Sequence, residues 1–174
     1  MIELLRYICE ELERKGIEYM LSGSLAMSAY VTPRFTRDID IIINLKKENL
    51  DEFLKIFSTH FYLNKEAIFE EVDREGMFNI IDQESGYKID FVVKKNNPFR
   101  NEEFKRKQNH ELFGFKAWIV SPEDLILSKF IWIQDITSDI QLQDIKNLLD
   151  HTNTNKEYIK TWIKTLNLKT YNLI

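Results

Sequence analysis

The stretch that most constrains the fold is Leu21–Asn44, which reads LSGSLAMSAYVTPRFTRDIDIIIN. A short apolar run leads into Gly23-Ser24, a segment of small residues follows as far as Pro33, and the stretch closes on an Asp-Ile-Asp-Ile-Ile-Ile run. That run is β-branched and alternates with period two, which predicts a strand. Successive strand side chains point to opposite faces, so Asp38 and Asp40 share one face and alternate isoleucines share the other.

The two carboxylates limit what their face of the strand can contact. Two unpaired charges one strand repeat apart repel each other and are costly to bury, whereas the isoleucine face can pack into a core. A divalent cation relieves both problems, and hard oxygen ligands suit magnesium. The sequence therefore predicts a magnesium site at the start of this strand. Taken alone, an Asp-x-Asp is also compatible with a pair of solvated acids, and this alternative stays open.

Hydrophobic periodicity places the remaining elements. It predicts helices over 2–15, 24–31, 47–57, 99–107, 121–133, 138–150 and 155–167, and a short helix or irregular segment over 65–72. It predicts strands over 17–21, 60–63, 77–82 and 87–93, and two short strands around Gly114 within 110–120. Ser24 is expected near the N-cap of the second helix, which Pro33 would end. The charged helix over 99–107 is expected on the surface, and Trp132, like most aromatic residues, in the core.

The order of these features resembles a known signature. Gly-Ser, a helix-length spacer and Asp-x-Asp at the start of an apolar strand resemble the polymerase-beta-like nucleotidyltransferase superfamily. The segment from Arg34 to Asp40, RFTRDID, is similar to the R-x-T-x-D-I-D form common in small bacterial members and in the nucleotidyltransferase-like toxins of abortive-infection toxin–antitoxin systems. The resemblance implies an α/β (α+β) nucleotidyltransferase fold: a small mixed β-sheet flanked by helices, with a C-terminal helical segment. It also implies a third carboxylate on a neighbouring strand.

A hairpin supplies a candidate for that third carboxylate. The runs 77–82 and 87–93 alternate and are joined by Gln-Glu-Ser-Gly, a turn-forming tetrad. In the second run Asp90 lies on the face opposite three apolar side chains. The first acidic strand has the same arrangement, with its aspartates on one face and alternate isoleucines on the other. Asp90 is therefore predicted as the third acid. Asp82 is the competitor, but it lies beside the turn, where acids are ordinary.

The resemblance implies roles for these residues. Asp38, Asp40 and Asp90 would hold two Mg2+ ions, and Asp90 would act on the acceptor hydroxyl. Gly23 and Ser24 would bind the triphosphate through backbone N–H groups and a hydroxyl, because the absent Cβ of Gly23 permits a close approach.

Further basic residues have two interpretations each. Arg34 and Arg37 would contact phosphate or an RNA backbone, or would form salt bridges to the local aspartates. Lys88 shares the face of Asp90 and would reach phosphate or neutralise the acids. Lys129 and Asp144 are similar to a helix-borne Lys and a later Asp that contribute to the site in the toxin-like branch. Otherwise Lys129 is a surface lysine whose stem covers apolar groups, and Asp144 a surface acid.

Composition bounds the class of protein. The chain has 174 residues, 30% of them charged, and a net charge of −4, which favours one folded domain and excludes a broadly basic nucleic-acid coat. We expect a catalytic domain over residues 1–120 and a helical extension over 121–174 packed on it. There is no run of 18 apolar residues and no signal-peptide pattern, so a cytoplasmic protein without membrane contact is expected. The single cysteine, Cys9, is expected to be a buried small hydrophobe.

The sequence thus predicts a Mg2+-dependent nucleotidyltransferase that uses an NTP. The acceptor is an RNA end, a protein or a small molecule, and Tyr30 is the aromatic residue best placed to stack on a base. The alternative is a non-catalytic nucleotide- or partner-binding module of the same fold, paired with a cognate antitoxin. A third possibility is a metal-dependent phosphohydrolase that uses the same three acids.

Overall fold

The computed structural model describes residues 1–32, 36–150 and 154–174. Its helices are α1 Ile2–Arg14, α2 Gly23–Met27, α3 Leu50–Phe57, α4 Lys65–Asp73, α5 Pro98–Lys105, α6 Pro122–Trp132, α7 Asp139–Leu149 and α8 Lys156–Thr165. Its strands are β1 Tyr19–Leu21, β2 Ile39–Ile43, β3 Phe61–Tyr62, β4 Met77–Asp82, β5 Lys88–Val93, β6 Gln108–Leu112 and β7 Phe115–Ile119. A 3₁₀ turn, Lys47–Asn49, precedes α3.

The strands of the described residues form one mixed sheet in the order β3-β4-β5-β2-β1-β7-β6. Strand β2 runs parallel to β5, and β1 runs parallel to β7. The remaining neighbours are antiparallel, including the predicted hairpin β4–β5. The helices flank this sheet, so the predicted α/β class with a mixed sheet is confirmed.

An aromatic cluster joins α3 to one face of the sheet. The ring of Phe53 lies 5.5 Å from that of Phe78 and 5.2 Å from that of Phe91, both edge to face. Phe78 and Phe91 face each other across the hairpin with stacked rings at 5.3 Å. Such pairs stabilise a core beyond the apolar area they bury. They fix which face of β4 and β5 is inside, and therefore which face carries the polar side chains.

Helix α2 differs from its prediction. It ends at Met27 instead of residue 31, because Ser28, Ala29 and Tyr30 donate to carbonyls three residues back, as in a 3₁₀ turn. Its N-cap is Ser22, and Ser24 lies buried in its first turn, two residues past the cap and thus near the N-cap as predicted. Pro33, predicted to end the helix, lies outside the described residues.

The surface prediction for α5 holds for one side of the helix, and the core prediction for Trp132 is wrong. Helix α5 is exposed on one side, at Pro98, Asn101 and Lys105. Its other side is buried at Phe99, Glu103 and Phe104, and Arg100 donates to both Glu103 carboxylate oxygens at 2.8 Å. A buried charge is tolerated here because it is paired. Trp132 was predicted in the core but is 64% exposed, at the end of α6.

The C-terminal helices are tied together through buried acids. Asp124 accepts from Arg106 Nε at 3.0 Å and from the Tyr158 hydroxyl at 2.7 Å, which links the end of α5, α6 and α8. Ser121 caps α6, accepting from the Asp124 N–H at 3.3 Å. Among the described residues, no helix is long and apolar enough to cross a membrane.

Cys9 gives a simple test of the core around α1. The side chain is 1% exposed, and burial raises the pKa of its thiol to about 12. Because the thiolate is the reactive form, Cys9 should resist a thiol reagent at neutral pH until the chain unfolds. Thiol titration in native and denaturing buffer checks this. Rapid native labelling would contradict the packing of α1.

Candidate active site

Asp40 and Asp90 lie side by side at the centre of the sheet. They are Cα partners in the parallel pairing of β2 with β5, about 4.8 Å apart as neighbouring strands are. On both strands the flanking side chains are buried in the aromatic and aliphatic core, so the two carboxylates share the opposite face. In this register Asp90 lies on the same face of the sheet as Asp40, as the alternation of the sequence predicts.

Asp38 lies at the edge of the pair. It precedes β2, is exposed, and donates its backbone N–H to the Thr36 hydroxyl at 3.3 Å. Its charge nevertheless acts on Asp40. The structure therefore brings the three predicted acids into one neighbourhood, with Asp38 on the solvent side.

The electrostatics of the site are those of crowded acids. Burial raises the pKa of Asp40, and the neighbouring charges of Asp90 and Asp38 raise it further. The ammonium groups of Lys129 and Lys88 act in the opposite direction. A site that destabilises its own carboxylate in this way gains from any bound cation.

Gly23 touches the Asp40 carboxylate directly. A Cβ at this position would lie 1.9 Å from Asp40 Oδ2, and the backbone has φ +60°, a left-handed conformation that favours glycine. The Ser22 N–H donates to the Asp40 carbonyl at 2.9 Å, which holds this turn against β2. Because α2 has only 5 residues, its dipole contributes little, and the close approach of backbone is the feature that remains.

Lys88 neutralises one of the acids. Its Nζ lies 2.7 Å from Asp90 Oδ2, and this bond raises the pKa of Lys88. Of the two interpretations of Lys88, this contact is the one in which it neutralises the acids. A contact between Lys88 and phosphate stays a prediction. Arg37 is exposed shortly before β2, and Arg34 lies outside the described residues.

Lys129 is not a surface lysine. It is 5% exposed on α6 and donates to Asp144 Oδ2 of α7 at 2.8 Å and to Gln141 Oε1 at 2.9 Å. Asp144 is 2% exposed, so the prediction of a surface acid is also wrong. Helix α6 packs against α2, and the Lys129 charge reaches Asp40. The pair therefore places a buried positive charge beside the acidic site.

A double-mutant cycle measures how strongly this pair is coupled in stabilising the fold. Lys129→Met removes the ammonium that Asp144 binds and should destabilise the fold by about 3 kcal/mol, because a buried charge loses its partner. Lys129→Met with Asp144→Leu should recover most of that stability. Chemical denaturation measures both. If the losses in Lys129→Met and in Asp144→Leu alone simply add in the double variant, the pair is not coupled.

The donor chemistry of the three acids fits magnesium, which prefers carboxylate oxygens. As the side chains stand, no three His, Cys, Asp or Glu groups of the described residues converge tightly enough to hold an ion. Asp40 and Asp90 are adjacent, whereas Asp38 would have to turn inward and Lys88 to leave Asp90. Asp82 holds the hairpin turn, accepting from the Ser85 N–H at 2.8 Å, as expected for a turn acid.

Two polar residues near the site differ from expectation. Asn79 is the cross-strand partner of Asp90 on β4, and its side chain is exposed on the same face. Because the hairpin was predicted, aligning the runs 77–82 and 87–93 as antiparallel strands would have placed Asn79 opposite Asp90. Tyr30 donates its hydroxyl to the Val120 carbonyl at 2.7 Å, and its ring lies edge-on to His110. These contacts give Tyr30 a structural role.

Comparison with solved structures matches the chain to several nucleotidyltransferases. The lincosamide antibiotic adenylyltransferase LnuA, with lincomycin bound, has TM-score 0.60 and 15% identity over 87% of this chain and 98% of LnuA. ANT(2")-Ia in complex with adenylyl-2"-tobramycin has TM-score 0.59 and 13% identity over 95% and 96% of the two chains. An antigenic nucleotidyltransferase-like protein from Paracoccidioides brasiliensis has TM-score 0.54 and 16% identity over 91% and 83%. No protein-family model and no curated protein sequence matches this chain.

These likenesses, all at low identity, show the fold. The chain has the fold of the nucleotidyltransferase superfamily, as the Gly-Ser and Asp-x-Asp pattern predicts.

Proposed function

We propose that the chain transfers an NMP from an NTP to an acceptor hydroxyl. The observation that carries this proposal is the row formed by Gly23, Asp40 and Asp90: a backbone turn against one carboxylate and a second carboxylate in register beside it. A turn without a Cβ suits a close approach of phosphate, and paired carboxylates suit divalent metal. We also propose that residues 1–120 form the catalytic domain and 121–174 a helical extension.

In this proposal the Gly23-Ser24 turn binds the triphosphate, and Asp38, Asp40 and Asp90 hold Mg2+. Bound Mg2+ would neutralise charge on the phosphates and on the attacking and leaving oxygens. The acceptor oxygen forms a bond to the α-phosphorus, the bond from that phosphorus to the bridging oxygen breaks, and pyrophosphate leaves. The hydroxyl proton passes to the Asp90 carboxylate.

The cationic residues would act on the phosphates. Lys129, held in place by Asp144, supplies positive charge near Asp40, and Arg34 and Arg37 contact phosphate from the segment before β2. These groups position the nucleotide and offset its charge, which is a large part of catalysis in phosphoryl transfer. A cytoplasmic location and a cognate antitoxin remain predictions.

The Lys88–Asp90 contact favours a second candidate. Lys88 Nζ lies 2.7 Å from the proposed base, and if this pair persists when nucleotide binds, Asp90 stays neutralised and the site binds nucleotide without turnover. Such a chain would be a nucleotide-binding module. If this contact is what keeps Asp90 inactive, wild type transfers nothing and Lys88→Ala gains NTP transfer, whereas an enzyme already transfers with Lys88 in place.

A label-transfer assay tests the proposal. Each of the common NTPs, labelled at the α-phosphate, is incubated with Mg2+ and with separate pools of RNA, protein and small metabolites. Label entering any pool with release of pyrophosphate, lost in Asp40→Asn and on chelation of Mg2+, supports the enzyme. Release of orthophosphate alone indicates a phosphohydrolase. Tight Mg-NTP binding without any transfer indicates the binding module.

A further inference from the structure

We propose that the acceptor lies on the open face of β4 and β3, beyond Asp90, and that it is a small uncharged molecule with a hydroxyl and a planar or apolar side. The residues of this acceptor face are Tyr62, Met77, Asn79 and Ile81. The inference rests on the proposed function, because it takes Asp90 as the group that acts on the acceptor hydroxyl.

The order of the strands shows in which direction an acceptor would extend from Asp90. Across the carboxylate face, the Gly23 turn after β1 lies on one side of Asp40, and Asp90 of β5 lies on the other. The next strand outward is β4, where Asn79 is the partner of Asp90. If the triphosphate is bound at the Gly23 turn, an acceptor whose hydroxyl meets Asp90 extends over β4 and then β3.

Strand register shows that the acceptor face continues the face of the carboxylates. Cross-strand partners share a face, so Asn79 lies with Asp90, and Ile81 lies with its partner Lys88. Tyr62 is the partner of Ile81 on β3. Alternate residues of the same strands, Phe78 and Ile80, are buried on the opposite face. The surface beside Asp90 is therefore continuous over two further strands.

The acceptor face is accessible and uncharged. Tyr62 is 67% exposed and Met77 46% exposed, although both are large apolar side chains. Asn79 is exposed and Ile81 half-buried between them. A tyrosine ring, a thioether and an isoleucine suit a planar or aliphatic group, and an amide can orient one hydroxyl.

The charge of this region argues against an RNA end as its occupant. Phosphates of nucleic acid are bound mainly by Lys and Arg, and the four side chains of the acceptor face supply neither. Lys88, the basic residue at its border, is bonded to Asp90. A chain of phosphates extending over β4 and β3 would meet uncharged side chains next to three acids.

Asn79 is the positioning residue of this surface. Its amide, one strand spacing from the Asp90 carboxylate, can hold an acceptor hydroxyl so that an adjacent hydroxyl meets Asp90. Tyr62, at the far edge, would contact the apolar side of the same molecule.

Amide NMR of the whole chain with para-nitrophenyl β-D-glucoside, an uncharged hydroxylated probe with a planar ring, tests the inference. We expect saturable shifts at Tyr62, Asn79 and Ile81, and an apparent Kd raised by about tenfold in Asn79→Ala and in Tyr62→Ala. Matched controls are Asn109→Ala on β6 and Phe69→Ala, whose side chain is 47% exposed on α4. Both should bind the probe as wild type does.

The same samples are titrated with Mg-ATP and with a short single-stranded RNA. Shifts over residues 23–26 with Mg-ATP, unchanged in Tyr62→Ala and Asn79→Ala, show that nucleotide binding is intact and separate. If Mg-ATP causes no shifts, the other three Mg-NTPs are titrated in turn; if none of them binds, the proposed function fails and the probe alone decides the acceptor face. Absence of probe shifts on β3 and β4, or RNA shifts on those strands, would overturn the inference.

Discussion

Replacing Asp40 or Asp90 with asparagine should lower nucleotide transfer by about a thousandfold while leaving the fold intact. Asn keeps the shape of the side chain but removes the charge that holds metal and, at Asp90, the group that takes the acceptor proton, and each such role contributes on this scale. The rate of α-label transfer under saturating Mg-NTP measures the effect.

Stability should respond in the opposite sense at Asp40. Burial and the charges of Asp90 and Asp38 raise the pKa of this carboxyl, so its ionised form is disfavoured in the folded chain. A carboxyl with a raised folded pKa stabilises the fold below its unfolded pKa and loses that contribution as pH rises through the folded pKa. Without Mg2+, Asp40→Asn should therefore have the higher Tm at neutral pH, and the difference should shrink in acid.

Asp73→Asn is the matched control for both measurements. Asp73 is an exposed acid of α4 that pairs with Lys47, and exposed pairs contribute little to stability. Its replacement should leave transfer and Tm near wild type. Transfer retained in both Asp40→Asn and Asp90→Asn would contradict the assignment of the acids, and a lower Tm in Asp40→Asn would contradict the electrostatic account.

Gly23→Ala should lower transfer by about a hundredfold and destabilise the chain by about 2 kcal/mol, because two independent effects coincide. The new methyl group would lie 1.9 Å from Asp40 Oδ2, so either the carboxylate or the turn must move. The backbone at φ +60° is also unfavourable for alanine. Transfer kinetics and chemical denaturation measure the two consequences.

Other glycines separate these effects. Gly16 and Gly86 have φ +64° and +71°, and a Cβ on either would meet nothing within 4 Å. Gly16→Ala and Gly86→Ala should share the part of the stability loss that comes from positive φ and should keep full activity. If they lower transfer as much as Gly23→Ala does, the contact between Gly23 and Asp40 is not what matters for activity.

The shared face of Asp40 and Asp90 was predictable because their strands alternate with period two and because a short turn joins β4 to β5. The apolar residues around Asp40 and Asp90 assign both carboxylates to one face, and a tight hairpin turn limits the register of β4 and β5. That register also determines Asn79. The alternation of apolar and polar residues was sufficient to assign the faces, because around Asp40 and Asp90 one face of each strand is apolar and the other carries the carboxylate.

The burial of charged side chains was not predicted from the sequence, because it depends on contacts between residues far apart in the chain. Lys129 and Asp144 were named from the sequence, but their burial and their pairing were not, because α6 is buried almost all round and Asp144 comes from the next helix. Glu103 is buried because Arg100 and Ser128 satisfy it, which charge content alone does not reveal. Trp132 is exposed at the last residue of α6, a helix end that its apolar character does not reveal.

A crystal structure of the chain grown with Mg2+ and a non-hydrolysable NTP analogue tests the central claim most directly. We predict metal density between the Asp40 and Asp90 carboxylates, with Asp38 turned toward it, Lys88 withdrawn from Asp90 and the triphosphate against the Gly23-Ser24 turn. A nucleotide bound elsewhere, or at this turn with no metal on Asp40 and Asp90, would contradict the claim.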